Sequence, residues 1–286
     1  MKRLLLTGSN GFIGNYFLNH CKNKYNIQTF SFLKDDFESL HVNDTDVILH
    51  LSALVHQMGG ASAQEYEKVN VDQTVELAQK AKANGVKQFI FMSTIKVCGE
   101  ESDVAYTQSA TCKPQDAYGK SKLKAEIELL KLEDDNFKVS IIRTPIVYGY
   151  GVKANIKNLM KLIQKVPILP FASIENKRSF VYVGNLCVLI DSIIEKAQSG
   201  IFLASDDKAI STTELIALIA LGMNKKVYLF KLPFFKELLK VVKPSMYKRL
   251  YESLEVDTTQ TKQKLDFQNP YTTKEGIALM IEGEKT

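Results

Sequence analysis

In the first half of the chain, short apolar runs alternate with longer stretches whose apolar residues recur every three or four positions. A short apolar run bounded by turn residues predicts a buried strand, and the helical period predicts an amphipathic helix. Residues 4–7 form a first strand ended by a glycine cluster, and 12–20 read as a helix. Strands follow at 27–32, 47–51, 89–93 and 139–143, with helices at 69–83 and 118–131. Asn84-Gly85 supplies the stop for the helix at 69–83. Strands separated by helices pair in parallel, so the predicted class is α/β, a doubly wound parallel sheet of the Rossmann type.

Beyond Pro145 the alternation breaks into shorter units, with prolines at 167 and 170 and short strands at 180–183 and 201–204. Ser211-Thr212-Thr213-Glu214 forms a capping box ahead of an apolar helix. The change of rhythm divides the chain into a nucleotide-binding domain over 1–150, with late elements from 178–205, and a smaller C-terminal substrate lobe over 151–177 and 206–286. No internal repeat is visible. Within 227–248, Phe230, Phe234, Phe235, Leu238, Leu239, Val241 and Val242 are interleaved with lysines. Such a segment could lie on a membrane surface. The expectation here is a lobe helix that buries one apolar face against the sheet domain.

Composition adds exclusions more than features. With 45% hydrophobic and 24% charged residues the chain has the make-up of a folded domain, not a disordered one. The net charge of +5 comes from scattered basic residues without a basic block interleaved with aromatics, which argues against nucleic acid as a partner. The apolar run after Met1-Lys2-Arg3 stops at Thr7-Gly8, too short for a signal core or a membrane span, so a cytoplasmic protein is expected. Cys21, Cys98, Cys112 and Cys187 lack paired short spacings and read as free thiols. The histidines at 20, 41, 50 and 56 are not spaced as metal ligands, and no metal is expected.

Two local patterns carry chemistry. Gly8, Gly11 and Gly14 stand between the first strand and the first helix. Glycine there allows a tight turn and close backbone approach to a pyrophosphate, with the helix N-terminus facing the anion. Tyr118 and Lys122 stand four apart, which places them on one helix face, where an ammonium favours an ionised phenol. That spacing makes Tyr118 a candidate acid/base.

Taken in order, Thr7-Gly-x-x-Gly-Phe-Ile-Gly14, His50-Leu51-Ser52-Ala53, Asn70-Val71, Ser93-Thr94, Tyr118-x-x-x-Lys122 and Arg143-Thr-Pro-x-Val-Tyr-Gly149 resemble the extended short-chain dehydrogenase/reductases. These are the NAD-dependent epimerase/dehydratase type, which act on nucleotide sugars. The resemblance implies that Tyr118 is the catalytic acid/base, that Lys122 holds the nicotinamide ribose and lowers the tyrosine pKa, and that Thr94, ahead of Ser93, hydrogen-bonds the reacting oxygen. It implies cofactor contacts from Gly8, Asn10, Gly11, Phe12, Ile13, Gly14, Leu51, Ser52, Ala53, Asn70 and Pro145, together with Tyr118 and Lys122.

Where NAD-binding members end the second strand with an acidic residue, this chain has Ser31 or Phe32, with Lys34 nearby. A hydroxyl and a cation accommodate a 2′-phosphate, so NADP(H) is favoured. NAD(H) is the alternative; Asp35 or Asp36 could serve the adenine, or Asp35-Asp36 could equally be a solvated helix start. Cys98 stands where the family often has tyrosine.

Lys96, two residues past Thr94, is placed on the same side of an extended strand, where it reads as a substrate contact or a surface lysine. Ser-x-Ile-Lys-Val-x-Gly-Glu over 93–100, with Leu54-Val55-His56-Gln57-Met58, is similar to a subgroup that reduces UDP-4-keto-6-deoxy-N-acetylhexosamines in surface polysaccharide synthesis. There Asn155 and Arg178 would face the diphosphate of a UDP-sugar, with Arg249 as a second, weaker candidate. The expected activity is therefore 4-keto reduction. The alternatives are a UDP-sugar 4-epimerase and, from another class, a non-catalytic NADP-binding regulator. A dehydratase is disfavoured because Ile95-Lys96 occupies the place of its usual Asp-Glu pair. A homodimer formed through two helices of the nucleotide domain is also implied.

Overall fold

The computed structural model describes residues 1–55 and 61–283; His56, Gln57 and Met58 lie outside the described residues. The first half runs β1 (Arg3–Thr7), α1 (Phe12–Cys21), β2 (Asn26–Phe30), β3 (Val47–His50), α2 (Ala63–Glu67), α3 (Gln73–Ala83), β4 (Gln88–Thr94), α4 (Ala117–Leu130), β5 (Lys138–Thr144) and β6 (Ile146–Tyr148). The second half runs α5 (Ala154–Lys165), β7 (Ile168–Leu169), β8 (Phe180–Tyr182), α6 (Val183–Lys196), β9 (Gly200–Leu203), α7 (Thr212–Gly222), β10 (Tyr228–Leu229), α8 (Phe235–Val242), α9 (Pro244–Tyr251), α10 (Thr259–Leu265) and α11 (Thr273–Glu282).

Six strands pair in parallel in the order β2-β1-β3-β4-β5-β9, as the alternation of strand and helix predicts. Because helices cover both faces, strand residues are buried on both sides, and side chains alternate between two apolar layers. Leu4, Leu6, Leu49, Ile90 and Ile142 enter one layer, while Leu5, Ile48, Phe89, Phe91 and Ile141 enter the other. Chain order reverses between β1 and β3, and a doubly wound sheet binds its ligand outside the carboxyl ends of the strands at that point.

Three expectations need correction. The helix expected at 69–83 starts earlier: Ser62 and Glu65 form a capping box that opens α2, and a π-helical turn at Lys68–Asp72 joins it to α3. Lys96 does not continue a strand. Thr94 ends β4 and its side chain accepts from the Lys96 N–H, which starts a 3₁₀ turn over Ile95–Val97. The segment around α8 does not bury its apolar side chains as a set. Leu239 is buried and Phe235 packs on Phe171, but Phe234, Leu238, Val241 and Val242 are exposed.

Candidate active site

The glycine turn is shaped for close backbone approach. Gly8 sits at φ +72°, and an added Cβ there would meet the Ser52 amide nitrogen at 2.7 Å. A Cβ on Gly14 would lie 2.2 Å from the Gly8 carbonyl oxygen, while the Gly11 N–H donates to that same oxygen at 2.9 Å. Helix α1 opens at Gly11 with no side-chain cap and no acidic residue in its first turn, which leaves its amide donors to an anion. Asn10 is exposed in the turn, and Phe12 and Ile13 pack partly into the core. These features fit the pyrophosphate of a dinucleotide.

The crevice is held by a proton-ordered chain that sequence reasoning missed. The Ser52 N–H donates to Thr7 Oγ1 at 3.2 Å, and Thr7 Oγ1 and His50 Nδ1 are 2.7 Å apart. His50 Nε2 lies 2.9 Å from Thr74 Oγ1. With the Thr7 hydroxyl donating to Nδ1, a neutral Nε2–H imidazole satisfies the whole chain and ties β1, β3 and α3 together. Burial, followed by the Lys122 charge, pushes the His50 pKa down to about 3. The unfolded chain therefore takes up a proton below pH 6.5 that the folded chain refuses, and this contribution to stability is lost as pH falls from 6.5 towards 3. Wild-type protein is expected to lose about 2 kcal/mol relative to His50→Gln between pH 6.5 and 4.5. Parallel melting-temperature profiles for the two proteins would refute this role.

Asn70, in the π-helical turn, is fully buried. Its Oδ1 accepts from the Leu54 N–H at 2.8 Å, and its Nδ2 donates to the Leu54 carbonyl and to Ser121 Oγ, each at 3.0 Å. The amide thus fastens the segment after β3, with Leu51, Ser52 and Ala53, to the helix that carries Tyr118.

Helix α4 is capped by Asp116, whose carboxylate accepts from the Gly119 N–H at 2.6 Å. Tyr118 lies 6.1 Å from Tyr66 between ring centroids, and Lys122 is buried with its ammonium 3.8 Å from the Phe91 ring centroid. Burial pushes the Lys122 pKa down to about 7. Burial, with Asp116 and Tyr66 adding to it, raises the Tyr118 phenol above its ordinary value. The lowered phenol pKa expected from the four-residue spacing is therefore not what the protein alone provides, because desolvation dominates.

Tyr118 and Thr94 line one cleft of about 610 Å³, together with Lys96, Pro145, Asn155, Arg178, Lys248 and Arg249. The chemistry of the sugar-side candidates is thus assembled from β4, α4, α5, α9 and the approach to β8. Ser93 instead donates to buried Glu126, which supports Thr94 as the hydroxyl facing the cleft. Lys96 is held by Glu100 at 2.7 Å and Asp116 at 2.6 Å. Arg178 donates to the Glu252 carbonyl at 2.9 Å and the Lys248 carbonyl at 3.4 Å, at the end of α9 where helix carbonyls favour a cation. Arg249 donates to Asn155 Oδ1 at 3.2 Å. Just past β2, the Ser31 N–H donates to the Asp35 carboxylate at 2.8 Å, and Lys34 is exposed beside it.

Known proteins resemble this chain in sequence and in fold. The NAD dependent epimerase/dehydratase family matches residues 4–203. A UDP-glucose 4-epimerase of Vibrio cholerae is 38% identical over 307 residues, covering 96% of this chain and 93% of that protein. Two solved structures share the fold at 18% identity. A UDP-N-acetylglucosamine 4-epimerase of Methanobrevibacter ruminantium M1, in complex with UDP-N-acetylmuramic acid, has a TM-score of 0.81 over 98% of this chain and 97% of its own. A UDP-glucuronic acid 4-epimerase of Bacillus cereus, in complex with NAD, has a TM-score of 0.77 over 96% of each. The family match runs from β1 to β9 and takes in the glycine turn, Thr94, Tyr118 and Lys122, and with it this chain belongs to the NAD dependent epimerase/dehydratase family.

Proposed function

We propose that the protein is an enzyme of oxidoreduction at C4 of a UDP-linked hexose or N-acetylhexosamine, working as a 4-epimerase with NAD(H). The carrying observation is one cleft that joins a hydroxyl and phenol, Thr94 and Tyr118, to the cations Arg178, Lys248 and Arg249. Thr94 would hold the C4 oxygen while Tyr118 exchanges a proton with it. The cations and Asn155 would bind the diphosphate, which a guanidinium grips through paired donors. Bound nicotinamide would supply hydride exchange with C4. The epimerase direction is supported by the extent of similarity to the Vibrio cholerae protein.

The sequence weighed Ser31 and Lys34 towards NADP(H). The fold adds Asp35, whose carboxylate reaches the end of β2 and suits ribose hydroxyls better than a 2′-phosphate, so NAD(H) is our assignment. Homodimerisation through α3 and α4 belongs to the same proposal, and the exposed Ile127 and Leu130 on α4 would be covered by it.

A second reading, a 4-ketoreductase acting on a UDP-4-keto-6-deoxy-N-acetylhexosamine, is favoured by the apolar cleft lining from Val55, Ile95, Ile146 and Leu254, which suits a sugar carrying a C6 methyl. One paired assay separates the two. As a 4-epimerase, the protein converts UDP-glucose or UDP-N-acetylglucosamine to the C4 epimer by NMR without net change in reduced cofactor. As a reductase, it consumes one reduced cofactor per keto sugar. Turnover in neither assay would sink both and leave the non-catalytic reading.

Arg178→Met is expected to raise KM for the UDP-sugar about 10- to 100-fold with kcat little changed, since a charge-assisted hydrogen bond contributes about 1.5–3 kcal/mol. A fall in kcat with unchanged KM would remove Arg178 from the diphosphate site.

A further inference from the structure

We infer that the ribbon of β7 and β10, with helix α8, is a docking surface for an anionic phospholipid bilayer. The observation is a run of large apolar side chains that the fold leaves in solvent. Tyr228, Phe230 and Leu232 are 67%, 41% and 45% exposed at alternate positions. Ile168, the register partner of Tyr228 across the ribbon, is 56% exposed. Phe234, just ahead of α8, and Leu238 and Val241 on it recur at helical spacing and are 82%, 58% and 82% exposed. Phe234 also has φ +59°, a left-handed backbone that a bulky aromatic residue rarely adopts, and there it holds its ring outward at the head of the helix.

Apolar side chains in such number on one surface mark an interaction site, and aromatic residues with lysines are the composition of a membrane interface. Charge selects the occupant. The segments 151–174 and 224–243, which contain α5, β7, β10 and α8, hold ten lysines and one glutamate, a net +9 in a chain whose total is +5. The remainder of the molecule is therefore net negative. A second copy seated on this surface would set like charge against like charge, whereas anionic lipid headgroups offer a continuous field of the opposite sign. Lysine stems can lie along the apolar stripe while their ammonium groups reach the phosphates. Among the described residues no helix is long and apolar enough to cross a membrane, so the contact is peripheral. Helix α8 leads directly into α9, whose Lys248 and Arg249 line the sugar cleft, and docking would bring that cleft to the membrane surface.

The chain contains no tryptophan, so Phe234→Trp supplies a single fluorescent reporter in the full protein. Mixed phosphatidylglycerol/phosphatidylcholine vesicles are expected to shift its emission to the blue and to co-sediment the protein. High salt should reverse both, and pure phosphatidylcholine should do neither. Phe234→Ser/Leu238→Ser/Val241→Ser is expected to lower the sedimented fraction about tenfold with an unchanged thermal transition. If that variant fails to fold, Lys225→Glu/Lys226→Glu/Lys231→Glu, all on exposed side chains, carries the same expectation. Emission unmoved by anionic vesicles, equal binding to neutral ones, or a blue shift without lipid accompanied by a doubled mass would each overturn the inference. The last result would give the surface to a second copy.

Discussion

Tyr118→Phe is expected to lower kcat about 10³-fold while leaving cofactor affinity within a few-fold, because it removes one proton-exchanging hydroxyl from the cleft and little else. The phenylalanine ring keeps the contact with Tyr66 at 6.1 Å, and the Asp116 cap of α4 does not involve the phenol. Burial holds the phenol above its ordinary pKa, which favours the protonated form that serves as acid when hydride returns to the C4 ketone; in the half-reaction that oxidises C4 the same oxygen takes the proton. Lys122 lies one turn along the same helix, and burial pushes its pKa down to about 7. Single-turnover absorbance of the nicotinamide would measure the step, with cofactor binding followed separately by thermal shift. Turnover within tenfold of wild type would exclude Tyr118 as the acid. Thr94→Val removes a hydrogen bond and not the proton donor, and its loss should be smaller.

What could be read in the sequence was local. Gly8, Gly11 and Gly14 sit within one turn, and Tyr118 and Lys122 within one turn of helix, so spacing alone placed each set. The groups that fix them come from far along the chain. His50 joins Thr7 and Thr74, Asn70 joins Leu54 and Ser121, and Glu126 joins Arg143 and Ser93, pairings that exist only once strands and helices have stacked in their final order. Lys96 was misplaced because a strand period was carried two residues past its end, into a turn that the Thr94 side chain itself initiates. For α8 the periodicity disclosed an apolar arc but not what covers it. Half of that arc, Phe235 and Leu239, packs inward, and the neighbouring stripe faces solvent.

The largest stability effect is expected where the fold commits most charge to its interior. Arg143 on β5 and Glu126 on α4 are 3% and 1% exposed. One guanidinium nitrogen meets the carboxylate at 2.7 Å, and Nε lies 3.2 Å from each oxygen. The same guanidinium faces Cys112 Sγ at 3.3 Å and Cys98 Sγ at 3.7 Å, and Ser93 completes the carboxylate's partners. Taking two charges out of water costs nearly what their attraction returns, so the intact pair adds little net stability, but removing one partner strands the other. Arg143→Met is therefore expected to destabilise the protein by about 3–5 kcal/mol and to lower the melting temperature by roughly 10 °C. The double variant Arg143→Met/Glu126→Leu should recover most of that loss, since no charge remains buried alone. Equal losses in the single and double variants would show that packing, not the orphaned charge, dominates. The outcome bears on catalysis as well, because Glu126 lies one turn beyond Lys122 and two beyond Tyr118, so the pair that fixes α4 to the sheet also sets where the proton donor stands.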